Sequence, residues 1–183
     1  MRFFVRPLVL VLALAPAAQA LAATTAVPAV RVGEAEVRES NGGIPCFTIA
    51  EREERLNGAP NFQAIRVTDA SSKPRAVVWS MAMPATRTFP LMFSMCIPYA
   101  GRVASLPQES AELLEAGKLY EVTIEVRAGD APNQPRQYAA RFCLARQADG
   151  RHTVKLLAAA AAAARGAGAC GGDAPASKTR GKR

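Results

Sequence analysis

The sequence predicts an all-β protein, built as an antiparallel two-sheet sandwich. Two observations carry this. Tyr120, Val122, Ile124 and Val126 alternate with Glu121, Thr123, Glu125 and Arg127, and that period of two gives a strand with one buried and one wet face. Similar short segments recur along the chain with turn residues between them, the pattern of stacked antiparallel sheets.

The chain opens on an export signal. Arg2 and Arg6 form a basic start, Leu8 to Ala15 a short apolar stretch, and Ala18-Gln19-Ala20 a cleavage site, so residues 1–20 read as a signal peptide. The apolar stretch is too short to span a membrane. No Cys stands at the cleavage point, so a lipid anchor is not expected. Export places the mature chain in an oxidising compartment. Residues 21–28 are a small-residue linker, 29–157 the folded domain, and 158–183 an alanine run followed by a basic tail. A domain of this size buries about two thirds of its unfolded surface.

Within the domain, Val30, Val32 and Val37 mark a first strand, and Asn41-Gly42-Gly43 a turn. Pro45 to Ile49 is a short strand. Residues 51–61, charged and then turn-rich, read as an exposed loop with room for one helical turn. Phe62–Thr68 and Ala76–Met83 are strands around a turn at Asp69–Pro74, the second carrying Trp79, the only Trp. Thr88–Cys96 follows as a strand with Phe89, Leu91, Phe93 and Met95 on one face, Pro90 marking an edge or bulge. Pro98-Tyr99-Ala100-Gly101 turns, and Val103–Leu113 reads as a strand running into a helical turn at Ser110–Leu114. The strand from Tyr120 and the return strand Tyr138, Ala140, Phe142, Leu144 make a hairpin around Gly129 to Pro135. Ala148-Asp149-Gly150 leads to a last strand, His152–Leu157.

Charge and chemistry exclude several classes. The net charge of +8 falls to +6 without Arg2 and Arg6, and residues 165–183 carry five cations against Asp173. The folded part is therefore near +2, which is no nucleic-acid footprint. The tail is a solubilising terminus or a contact for anionic envelope polymers. His152 is the only His and no G-x-S-x-G elbow exists, so nucleophilic catalysis has no support. Glu51, Glu53 and Glu54 interleave with Arg52 and Arg55, as on a self-neutralising solvated loop. The four cysteines show no C-x-x-C spacing. Met81, Met83, Met92 and Met95 stand beside Cys96, a soft donor set that would suit Cu(I); methionines at such spacing also serve as core filler. No cofactor is expected.

Two resemblances add to this. Leu114-x-x-Gly117-x-x-Tyr120 resembles the corner before a central strand of fibronectin type III and other immunoglobulin-like sandwiches, in which a Tyr hydroxyl ties the corner to nearby backbone. Trp79 would be the core Trp of such a domain, with Leu114, Gly117, Tyr120 and Phe142 also defining the fold. In that strand order Cys96 and Cys143 both face outward but stand two strands apart, about 9.6 Å against a limit of roughly 7 Å for a disulfide. Cys46 lies in an N-terminal addition able to cover that face. The expected bridge is Cys46–Cys143, with Cys46–Cys96 second, and Cys170 unpaired or linking molecules.

The ordered segments Ile44-Pro45-Cys46-Phe47-Thr48, Val78-Trp79, Cys96-Ile97-Pro98-Tyr99, Gly117 to Val122 and Tyr138 to Leu144 are similar to a family of small bacterial periplasmic proteins, mostly lipoproteins, described as type VI secretion immunity proteins. The resemblance covers residues 29–157. It implies a non-enzymatic periplasmic protein that neutralises a secreted toxin by occluding it. Candidate contacts are Glu51–Pro60, Pro98–Arg102 and Ala128–Arg136. A copper or small-ligand module and a structural envelope protein are the alternatives.

Overall fold

The period-two segments form strands. The computed structural model describes residues 31–40, 42–101, 106, 111–127, 129, 134–157 and 170. The expected signal peptide, the linker and all of the tail but Cys170 lie outside these residues. The strands are β1 (Val32–Glu39), β2 (Pro45–Ile49), β3 (Asn61–Asp69), β4 (Ala76–Ala82), β5 (Phe89–Pro90), β6 (Ile97–Pro98), β7 (Leu119–Val126), β8 (Gln137–Arg146) and β9 (His152–Leu157), with one helix, α1 (Glu51–Asn57). The protein is all-β in class. No helix among the described residues is long and apolar enough to cross a membrane.

The layering departs from two separate antiparallel sheets. The nine strands form one mixed sheet, ordered β4-β3-β7-β8-β1-β2-β6, with β5 on β3 and β9 on β8. β1 makes the join. Val32, Gly33 and Glu34 pair parallel to β8, and Ala35 to Glu39 then pair antiparallel to β2. A strand that changes partner midway turns a sheet back over itself. β2 and β6 thus lie across the inner face of the strands from β3 to β8. Phe47 of β2 meets Phe142 of β8 at a tilt (centroids 5.6 Å apart) and stacks on Trp79 of β4 (6.3 Å). Ile65, Val67, Tyr120, Val122, Ile124 and Tyr138 complete that core. At roughly 25 cal/mol per Å² of apolar surface, this burial is the main favourable contribution to folding.

The corner before β7 has the geometry its spacing implies. Tyr120 is buried and its Oη accepts a hydrogen bond from Glu115 N at 2.8 Å. Gly117 takes φ +83°, where a side chain would be strained. Leu114 packs against the core, half-buried.

Three local expectations fail. Residues 51–57 form a helix, not a loop. Only Phe89–Pro90 of Thr88–Cys96 pairs as strand. The rest is irregular backbone held from a distance: Leu91 N donates to Pro60 O, and Thr48 Oγ1 donates to Met92 O. Residues 111–114 are irregular rather than helical, with Glu112 N donating to Val78 O on the edge of β4. Residues 103–105 and 107–110 of the expected strand there lie outside the described residues.

The disulfide is Cys46–Cys96, with Cα atoms 5.4 Å apart, and not Cys46–Cys143. The reason is the curl of the sheet. β2 crosses the inner face, so Cys46, next to inward-facing Phe47, points away from β8 toward the segment ending at Cys96. Cys143, next to inward-facing Phe142, points out through the opposite face of β8. The hydrophobic core lies between the two.

All three tyrosines are buried. Burial raises each phenol above its ordinary value of 10.0, Tyr138 to about 12, and at Tyr120 the bond from Glu115 offsets part of the effect. The unfolded chain therefore releases these protons at lower pH than the folded one. Stability is fully present below pH 10 and falls as pH climbs from there toward 12. Tyrosinate absorbance should rise in one cooperative step with loss of near-UV circular dichroism; gradual ionisation of a folded protein at pH 10 would contradict this.

Candidate functional site

α1 is a charged helix fixed by its own acids. Its N-cap is Ala50, which offers no side-chain acceptor, so the first turn depends on other contacts. Glu53 is only 1% exposed. Arg31 Nη2 reaches both its oxygens at 2.8 Å, Asn57 Nδ2 donates to Oε2 at 3.1 Å, and Glu34 N donates to Oε1 at 3.3 Å. A buried carboxylate persists only when its charge and lone pairs are met in this way. Glu54 Oε2 accepts from Phe93 N at 3.1 Å, tying the helix to the segment before Cys96. Gly58 at φ +73° closes the helix, its N donating to Glu54 O.

The opposite face of α1 carries Glu51, Arg52, Arg55 and Leu56, all exposed, Leu56 at 73%. Arg52 pairs with Glu34 at 3.0 Å and Arg55 with Glu51 at 3.3 Å. Beside it runs a groove of about 880 Å³. The groove exists because β8 has two partners on one edge: β1 covers Gln137 to Ala139 and β9 covers Arg141 to Arg146. The strands part at Ala140. Arg31, Arg52, Glu53, Ala139, Ala140, Leu156 and Leu157 are among the residues that line the groove. Val32 and Leu156 expose apolar surface there. Arg141 Nε meets Glu121 at 2.6 Å where the groove ends.

β1 lies close to β8 because Gly33 has no side chain. A Cβ there would fall 2.5 Å from Tyr138 Cδ1. The Tyr138 hydroxyl is buried without a hydrogen-bond partner.

Of the three expected contact segments, two adjoin. Gln134 Nε2 of the hairpin loop donates to Asn57 O at the end of α1 at 3.4 Å. The Pro98 turn sits apart, where Tyr99 Oη donates to Glu112 O at 2.7 Å, with Val78 O 3.2 Å away. Arg102, Ala128 and residues 130–133 lie outside the described residues.

The soft donor set around Cys96 lacks the thiolate that would complete it, because Cys96 is in the disulfide. Met81 is core, Met83 and Met95 pack against the core, and Met92 is exposed. Among the described residues no three His, Cys, Asp or Glu side chains group to hold a metal. His152 is half-buried, with Nε2 enclosed and unbonded, beside a small cavity shared with Glu39 and Gly43.

No protein-family model, curated protein or solved structure matches the chain. The fold therefore defines the class by itself: an all-β protein with a mixed, curled sheet and a single disulfide among the described residues.

The two faces of α1 should respond differently to substitution. Glu53→Ala removes the acceptor for Arg31, Glu34 N and Asn57 and should cost about 2–4 kcal/mol in urea unfolding. Arg55→Ala, which breaks an exposed pair, should cost about 0.5 kcal/mol or less. Equal costs would mean that Glu53 does not anchor the helix.

Proposed function

We propose that this is an exported, periplasmic, non-enzymatic protein that neutralises a secreted toxin by binding over its working surface, as an immunity protein of type VI secretion does. The observation that carries the reading is α1, held from its buried side by Glu53 and Glu54 and presenting Glu51, Arg52, Arg55 and Leu56 outward beside an open groove. A rigid element pays little ordering entropy when a partner lands on it. A surface with charges of both signs around exposed Leu56, Val32 and Leu156 suits a protein partner. The Cys46–Cys96 disulfide agrees with an oxidising compartment. The ordered segment resemblance points the same way, with a cell-wall or membrane-active toxin as the partner class.

The reading predicts a gene for an exported toxin beside this one, and the test is co-expression of the two in the periplasm; a neighbourhood without such a gene counts against the reading. The wild-type chain should restore growth and form a complex by calorimetry. Arg52→Glu with Arg55→Glu should weaken binding about tenfold or more, with a melting temperature within about 3 °C of wild type. A folded wild-type chain that neither binds nor protects overturns the reading. Unchanged binding by the double variant removes α1 from the contact.

A further inference from the structure

The outer face of the sheet is polar through Arg66, Glu121, Thr123, Glu125 and Arg141, except at one end. There Leu119, Cys143, Leu157 and Cys170 form a second apolar cluster, separate from the main core. Leu119 and Cys143 are register partners on β7 and β8, and Leu157 ends β9. Cys170 comes from 27 positions beyond Cys143 in the chain. It is 2% exposed, and Cys143 is 0% exposed. The two thiols lie within hydrogen-bonding reach of each other. Neither is bonded to another cysteine. The sequence expectation offered an unpaired Cys170 or one that links molecules; the thiol is unpaired, and its burial against this sheet leaves little access for a second molecule.

We propose that Cys143 and Cys170 form a second disulfide, which fastens the C-terminal segment across the outer face of β7 and β8. The chemistry requires a disulfide oxidant, RSSR, of the kind an oxidising compartment supplies as a protein disulfide or as oxidised glutathione. One thiol loses its proton and attacks RSSR, forming a mixed disulfide and releasing RSH. The second thiol loses its proton and attacks the protein sulfur of that mixed disulfide, expelling a second RSH. Two protein thiols are oxidised to one disulfide, and RSSR is reduced to two RSH. Burial and the neighbouring thiol push the Cys143 thiol up to about 12, so the buried pair holds little thiolate. The bond therefore closes while the segment is still settling onto the sheet. The inference does not depend on the binding role proposed above.

The test is non-reducing peptide mapping of the full chain, made by periplasmic export and alkylated under denaturing conditions before tryptic digestion. Cys46–Cys96 acts as the internal control, since its presence shows that the oxidant reached the protein. The expected result is Phe142–Arg146 linked to Gly166–Lys178, released on reduction. Cys170→Ser should lower the melting temperature by about 5–10 °C under non-reducing conditions, and reduction should abolish the tryptic link but leave both peptides present. Full alkylation of Cys143 and Cys170 in molecules that carry Cys46–Cys96 overturns the proposal. So does a dimer linked through Cys170, or a bridge from Cys143 to Cys46 or Cys96.

Discussion

The fold depends on one strand serving two partners. β1 lies parallel to β8 for three residues and antiparallel to β2 for five. Without the change, β2 and β6 would extend the sheet sideways and leave Trp79, Phe142 and Tyr120 uncovered. With it, Phe47 and Ile49 are laid over those rings and are fully buried. Gly33 permits the close first half, since any Cβ would strike the Tyr138 ring. The groove follows from the same event. β1 leaves the edge of β8 before β9 begins to pair with it, and an opening remains at Ala140.

Once β1 departs, something must hold the returning layer in place. Two clamps do this from opposite ends. Glu53 grips Arg31 and the backbone of Glu34, fixing α1 to the start of β1. Cys46–Cys96 spans 50 residues and fixes β2 to the irregular segment above it. By chain entropy a loop of that length contributes about 4 kcal/mol, more than the roughly 0–1 kcal/mol of an exposed pair such as Arg52–Glu34. The bridge and the buried carboxylate therefore decide the position of this layer, while the surface pairs only decorate it.

What could be read from the sequence follows from this division. Strands with one wet face announce themselves by period two, as β7 does, while β2, β3, β4, β8 and β9 lie where short apolar segments stand between turn residues, β2 being buried at all five positions. Thr88–Cys96 shows the same alternation, yet Thr48, Glu54 and Pro60 supply its partners from about 30 to 45 residues away, and no local pattern reports them. Glu53 looks identical to Glu51 in a run of mixed charges; only the arrival of Arg31 makes it a buried anchor. The disulfide was legible as a choice between two pairings. Choosing correctly required knowing on which face of β8 the N-terminal strands would land, and that is set by the partner change in β1. Cys170 carried no signal at all, since its segment has no periodicity and its meaning lies in reaching Cys143.

The same separation bears on recognition. Residues that hold α1 cannot be borrowed by a partner, because removing Glu53 from Arg31 would strand a buried charge. Residues on its outer face are different. Arg52 and Arg55 hold exposed, solvent-screened pairs, so trading Glu34 or Glu51 for a partner's carboxylate costs almost no stability. Leu56 already sits in water, so covering it gains free energy at once. A surface arranged in this way can change its partners without disturbing its scaffold. An active site usually needs the reverse, with its working groups held and desolvated by the fold. In this protein the firmly held polar group, Glu53, faces its own helix and strand, and the groups free to engage are the ones on the rim.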